Sequence, residues 1–128
     1  MHKSRLGTLV IDCLTDDVEK EAEFWSAALG CKTRRRYEPG DENYILLETD
    51  VTQPKMLLQK VDHPSRVHID IETNDIAAEV KRLEGLGAKR LTKVRDWWVM
   101  EAPSGHQFCV VKPQRVDFEE AANVWDDV

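Results

Sequence analysis

The chain has 128 residues, of which 41% are hydrophobic and 33% charged, and this predicts one globular domain with its own core. A net charge of −6 argues against a nucleic-acid binder, because such proteins neutralise phosphates with basic surfaces. No apolar run approaches the roughly 18 residues of a membrane span, and no signal-peptide stretch follows Met1. Three cysteines without a CxxC pair favour a reducing compartment. We therefore expect a cytoplasmic protein without nucleic-acid or membrane partners.

The first half of the chain predicts a strand, a helix and three further strands. Apolar and polar residues alternate over residues 8–13, which is typical of a strand with two different faces. A helical stripe follows from Val18 to Leu29, with Thr15 or Asp16 as the expected N-cap and Gly30 as the stop. The three strands are expected at 32–37, 44–48 and 55–61, separated by turn residues.

The second half repeats this order. Residues 67–72 alternate as a strand, and Ile76, Val80 and Leu83 form a helical stripe that ends at the glycines of 85–87. Asn74 or Thr73 is the expected N-cap. Strands are expected at 90–94, 97–101 and 107–112. The chain therefore reads as a tandem duplication of a βαβββ unit, at about 6–61 and 66–112, within a single domain spanning 1–128.

A final segment at about 117–126 is predicted as a short helix, with Phe118, Ala121, Ala122 and Trp125 on its apolar side. Two roles are open for it at this point. It either covers a homodimer interface or closes the core of its own chain.

These features resemble the vicinal oxygen chelate superfamily, which includes glyoxalases, bleomycin-resistance proteins and extradiol dioxygenases. The motifs are the segment Arg-Val-His-Ile-Asp-Ile at 66–71 before a capped helix, and the segment Ala-Pro-Ser-Gly-His at 102–106 between two strands. Ala102 stands where the superfamily usually has Asp. The resemblance covers about residues 6–112. It implies an α+β fold in which two tandem βαβββ units form an eight-stranded U-shaped sheet around a cleft, here followed by the short C-terminal helix.

The resemblance also implies where a divalent metal would bind. The two first-strand ligand positions fall on Thr8 and His68, and the last-strand positions fall on Cys109 and on either Leu57 or Gln59. Only His68 is an ordinary ligand type for this site. A hard ion prefers several oxygen or imidazole ligands, so no native cofactor is expected. If a metal binds, His68 and Cys109 would hold it, with Asp70 or Asp12 completing the site.

Strand alternation and the superfamily register together predict which side chains line the small-molecule cleft. Trp97 and Val99 are expected inward, with Trp98 and Met100 toward the helix. Three candidates, His68, Asp70 and Glu72, carry acid–base chemistry if a reaction occurs. The predicted ligand-binding residues are Thr8, Val10, Asp12, Gln59, His68, Asp70, Trp97, Val99 and Cys109.

The sequence favours a glyoxalase-like protein that binds a small molecule without a catalytic metal, as bleomycin-resistance proteins of this superfamily do. The alternative is a divalent-metal-dependent lyase, isomerase or dioxygenase with atypical ligands. A metal-independent enzyme that uses His68 with Asp70 or Glu72 is a third option. The partners expected are a small-molecule ligand and, because the superfamily commonly dimerises, a second copy of the chain.

Overall fold

A computed structural model describes residues 1–35 and 40–127 of the chain. Within this part the fold has nine strands and three helices, and it is α+β as the sequence predicts. The last part of the strand expected at 32–37 lies outside the described residues. No helix in the described ranges is long and apolar enough to cross a membrane. The chain divides into two compact units, and two strands, β1 (His2–Leu14) and β5 (Arg66–Thr73), each have residues in both units.

The first unit comprises Leu9–Val67. Its sheet has the strand order β2, β3, β4, β1, and the pairs β2–β3 and β3–β4 are antiparallel. The helix α1 packs against β3 and β4, because its apolar stripe needs a partner surface. The elements are β1 (His2–Leu14), α1 (Val18–Leu29), β2 (Thr33–Arg35), β3 (Tyr44–Leu47) and β4 (Lys55–Val61). The buried core consists of Ile11, Cys13, Val18, Ala22, Ile45, Leu47 and Leu58.

The second unit comprises Met1–Thr8 and the chain from His68 onward. Its sheet has the order β1, β5, β8, β7, β6, in which β5 and β8 run parallel and the pairs β8–β7 and β7–β6 are antiparallel. Its elements are β5 (Arg66–Thr73), α2 (Ile76–Gly85), β6 (Lys89–Val94), β7 (Trp97–Glu101) and β8 (Gln107–Val111). The core beneath α2 consists of Val80, Leu83, Met100, Phe108 and Val110.

The N-cap of each helix lies one or two residues after the predicted candidates. The Asp17 carboxylate accepts hydrogen bonds from the N–H groups of Glu19 and Lys20, at 3.1 and 3.3 Å, and is the N-cap of α1. Asp75 caps α2 by accepting the N–H of Ala78. The predicted caps, Thr15 or Asp16 and Thr73 or Asn74, are therefore wrong. Each cap was an aspartate in a run of several cap-forming residues, and spacing alone does not distinguish neighbours in such a run.

The C-terminal segment differs from the predicted helix. The helix α3 spans only Phe118–Ala121, and the next residues form a strand, β9 (Asn123–Trp125), which pairs antiparallel with His2–Ser4 of β1. Phe118 is buried, and the Trp125 indole N–H donates to the Ser4 hydroxyl at 2.8 Å. The helix prediction for 123–125 is wrong because a strand edge far away in the sequence pairs with this segment. Both aromatic side chains pack within the second unit.

The cap assignment gives a stability prediction. Asp17→Ala removes the acceptor for two orphan N–H groups of α1, and we expect it to cost about 1 kcal/mol of unfolding free energy. The matched control is Asp16→Ala at the neighbouring exposed position, which should change stability by less than about 0.5 kcal/mol. Urea unfolding followed by circular dichroism measures both values. Equal losses in the two variants would contradict the assignment.

Candidate metal- and ligand-binding face of the second unit

Strand β5 separates its side chains between two environments. Ile71 packs against the core beneath α2, so the residues that alternate with it point to the opposite face of the sheet. His68, Asp70 and Glu72 are those residues. We call this surface the polar face of the second unit.

The register of the neighbouring strands brings further side chains to the same face. Asp70 pairs with Cys109 across the parallel β5–β8 ladder, and Cys109 pairs with Val99 across β8–β7. Val99 in turn pairs with Thr92 of β6. Paired residues in a sheet project to the same side, so these four form one row across four strands. As predicted, Trp98 and Met100 lie on the other face, in or against the core beneath α2.

Three side chains of the polar face come close together. The potential ligand atoms of His68, Asp70 and Cys109 all lie within 4.8 Å of one another. The His68 Nε2 atom is 3.4 Å from Asp70 Oδ1, and these two side chains are only 14% and 16% exposed. Such a cluster offers a nitrogen, an oxygen and a sulfur donor in a half-buried position. Its lining therefore suits the recognition of a polar group.

The types of donor atom in this cluster determine which metal ions it can bind. Mg²⁺ and Mn²⁺ prefer oxygen ligands, whereas zinc accepts thiolate, imidazole and carboxylate together. Three protein donors leave a fourth tetrahedral position for an exogenous group. The cluster fits a zinc-type ion and does not fit a hard one.

Glu72 has a different role from its neighbours on β5. Its side chain is fully buried, and its carboxylate accepts hydrogen bonds from the Arg5 Nε group at 2.6 Å and from the backbone N–H groups of Gln114 and Arg115 at 2.6 and 2.9 Å. A Cβ atom on Gly7 would approach the Glu72 side chain to 3.0 Å, so the glycine leaves space for it. These contacts favour Glu72 as a structural anchor for the segment after β8.

Arg5 extends this anchor to the C-terminal segment. Its guanidinium also donates to Asp117 at 2.5 Å. Burial lowers the pKa of Arg5, but the hydrogen bonds with Asp117 and Glu72 outweigh this and leave it raised. The same hydrogen bond lowers the pKa of Asp117. Arg5 therefore stays charged between two carboxylates.

The remaining predicted cleft residues divide between the units. In the second unit, Thr8 is buried and Trp97 is half-buried, with the Arg95 guanidinium 6.0 Å from the centre of its ring. The other three, Val10, Asp12 and Gln59, lie in the first unit. Val10 is buried, Asp12 is buried with Arg66 Nε 3.4 Å from its carboxylate, and Gln59 donates to the Tyr44 hydroxyl at 3.0 Å.

A family model described as Glyoxalase-like domain matches residues 8–111. The chain belongs to the glyoxalase-like domain family. This agrees with the resemblance to the vicinal oxygen chelate superfamily. No curated protein matches the sequence.

Solved structures share the glyoxalase-like fold at low identity. The hypothetical protein BH1468 from Bacillus halodurans is 12% identical, with 88% of this chain and 97% of that chain covered at a TM-score of 0.63. A Streptomyces coelicolor methylmalonyl-CoA epimerase variant in complex with 2-nitronate-propionyl-CoA is 15% identical, with 86% and 98% covered at 0.63. Methylmalonyl-CoA epimerase from Mycobacterium tuberculosis is 14% identical, with 85% and 87% covered at 0.58. At such identities the likeness shows the fold alone.

Sequence reasoning did not find the partners of the buried charges. No local pattern links Arg5 or Arg66 to a carboxylate partner, or residues 114–115 to Glu72 on β5. Their pairing depends on strand register and on the return of the C-terminal segment. Asp70, in contrast, is among the residues that the sequence predicts for the site, because it lies two residues after His68 on the same face of a strand.

The anchor role of Glu72 is testable by stability. Glu72→Ala leaves Arg5 and two backbone N–H groups without this acceptor, and we expect it to cost about 3–5 kcal/mol. The matched control is Glu119→Ala, which removes an exposed carboxylate 3.1 Å from Lys3 of the same strand β1 and should cost less than about 1 kcal/mol. Chemical denaturation measures both losses. A small loss in the Glu72 variant would contradict the anchor role.

Proposed function

We propose that this glyoxalase-like domain binds a small molecule on the polar face of the second unit. The observation that carries the proposal is the half-buried cluster of His68, Asp70 and Cys109, with Val99 in register beside it. Small-molecule sites combine an apolar wall with a few convergent polar groups, and this face has both. His68 and Asp70 orient a polar group of the ligand, while Val99 and Trp97 contact its apolar part.

Binding without a hard catalytic metal is the main form of this proposal. The positions at which superfamily resemblance implies metal ligands include Thr8 and Cys109, and neither is a preferred ligand of Mg²⁺ or Mn²⁺. The structural neighbours support a ligand-binding role for the fold, since one was solved with 2-nitronate-propionyl-CoA. The identity of that ligand does not carry over to this chain, because the same fold hosts many ligands.

Ligand binding should depend on the cluster. We expect a screen of metabolite-sized acids, amines and polyols to yield a compound that raises the melting temperature of the wild type. At a concentration of about 100 times Kd, binding adds about 2.7 kcal/mol, or several degrees for a chain of this size. The shift should disappear in the double variant His68→Gln/Asp70→Asn and persist in His106→Gln, which alters an exposed histidine in a turn. Equal shifts in all three proteins would place the ligand elsewhere.

A second candidate function is a metal-dependent enzyme with atypical ligands. Of the lyase, isomerase and dioxygenase expected from the sequence, a zinc-type ion favours the first two, because zinc has no redox chemistry. The observation that favours this candidate is that the potential ligand atoms of the three side chains lie within 4.8 Å of one another. His68, Asp70 and Cys109 would hold a zinc-type ion, and the ion would supply Lewis-acid polarisation of a ligand oxygen at the open position. The protein residues would orient that oxygen and limit the access of water from the half-buried face.

Cobalt(II) distinguishes the two candidates, because a cobalt–thiolate bond gives a near-ultraviolet charge-transfer band. If the cluster binds metal, titration with cobalt should produce this band in the wild type and in Cys31→Ser, and zinc should displace it. Cys109→Ser should abolish the band, while His68→Gln and Asp70→Asn should weaken binding. No band in the wild type, together with ligand binding in the screen, would eliminate the metal-dependent candidate.

A further inference from the structure

The ring of His2 lies fully buried between two carboxylates in the second unit. Its Nε2 atom is 2.7 Å from Glu79 Oε1 of α2, and its Nδ1 atom is 2.5 Å from Asp127 Oδ1 of the C-terminal segment. The His2 and Glu79 side chains have no solvent exposure, whereas Asp127 is 35% exposed. This cluster is separate from the polar face and has no part in the proposed function.

Two further charged groups, Arg82 and the amino group of Met1, contact the carboxylates that flank His2. Arg82 of α2 donates two hydrogen bonds to Glu79, at 2.8 and 2.9 Å, and its guanidinium lies 3.9 Å from the centre of the Trp125 ring. The amino group of Met1 is 3.2 Å from Asp127. Burial raises the pKa of Glu79, but hydrogen bonds from Arg82, His2 and Ser4 outweigh it and leave the pKa lowered. The pKa of Asp127 is lowered in the same way, with His2 and the Met1 amino group outweighing burial.

The two contacts of His2 require two ring protons. A carboxylate at neutral pH accepts hydrogen bonds and donates none, so each ring nitrogen that faces one must carry a hydrogen. A neutral imidazole has only one N–H group. The geometry is therefore that of an imidazolium, and its deprotonation must break one of the two contacts. The contact with Asp127 is the one that breaks, because water can solvate the partly exposed Asp127 carboxylate. Glu79, in contrast, is buried and stays bound to Arg82.

Strand β9 lies beside this contact. It pairs with β1 over only three residues, namely His2 with Trp125, Lys3 with Val124 and Ser4 with Asn123. Such a short edge pairing is weak without side-chain support. Asp127 lies two residues after the end of the strand and is bound to His2, the residue at which the pairing begins.

We propose that protonated His2 is a pH-sensitive latch that holds β9 against β1, and that loss of its second proton releases the strand. The contribution of the imidazolium is present when the ring is charged and is lost as the pH rises. On the acid side, Glu79 and Asp127 have lowered pKa values, so their contribution persists below the usual carboxyl range and is lost only as the pH falls through the lowered values. The latch is closed between these two limits.

Nuclear magnetic resonance of the full chain tests the latch. The ring nitrogens of His2 report its protonation directly. Amide exchange at Asn123 and Trp125, which pair with Ser4 and His2, reports the pairing of β9 once it is corrected for the intrinsic pH dependence. In the wild type we expect both ring nitrogens of His2 to carry a proton while β9 is paired, and the protection of both amides to fall with the same midpoint at which His2 loses a proton. His2→Gln should reduce that protection at least about tenfold at the same pH, since a charge-assisted hydrogen bond is worth more than a decade in equilibrium.

Two further variants keep the test informative even if His2→Gln destabilises the whole fold. Asp127→Asn provides an amide that can donate to a neutral ring, so β9 should stay closed at alkaline pH and its dependence on His2 protonation should vanish. His106→Gln should leave the wild-type profile unchanged. A singly protonated His2 while the Asn123 and Trp125 amides remain protected, or amide protection that does not follow the His2 midpoint, would overturn the proposal.

Discussion

The parallel pairing of β5 with β8 is the constraint on which the polar face depends. It sets Asp70 opposite Cys109, and the alternation of β5 then adds His68 to the same face while Ile71 enters the core. A shift of one residue would move every side chain of the strand to the wrong side of the sheet. The apolar residues beneath α2 fix the register because they cannot be exposed without loss of burial energy. The same residues that fold the unit thus position its polar cluster.

Buried charges organise the margins of the second unit. Glu72 and Arg5 hold the segment after β8, and His2 lies between Glu79 of α2 and Asp127 of the C-terminal segment. Each charge has partners of opposite sign or hydrogen-bond donors, as burial requires. Replacing one partner would leave the other desolvated, so the cost of a single change exceeds the worth of the pair. The side chains of His68 and Asp70 on the polar face, in contrast, are not fully buried, with 14% and 16% of their surface exposed.

Much of the fold follows from periodicity, and the site follows from it only in part. The bounds of β4 and β7 agree with the predicted ranges, and Gly30 ends α1 in the left-handed conformation, with φ of 70°. These features depend on local patterns. The pairing of β9 with β1 and the hydrogen bonds of Glu72 join residues far apart in sequence, and no local pattern encodes them. The strands predict that His68 and Asp70 share a face, but the distance to Cys109 depends on register between strands. Whether Thr8, Val10, Asp12 and Gln59 contact a ligand stays a prediction.

The most direct test of this account is a disulfide cross-link across the β5–β8 ladder. Paired residues on adjacent strands lie about 4.8 Å apart, within the range that a disulfide spans. Under mild oxidation, Asp70→Cys should form a disulfide with Cys109, identified by peptide mass spectrometry. Ile69→Cys, on the same strand but on the opposite face, should not. A cross-link in the second variant or none in the first would contradict the register, and with it the cluster on which the proposed function rests.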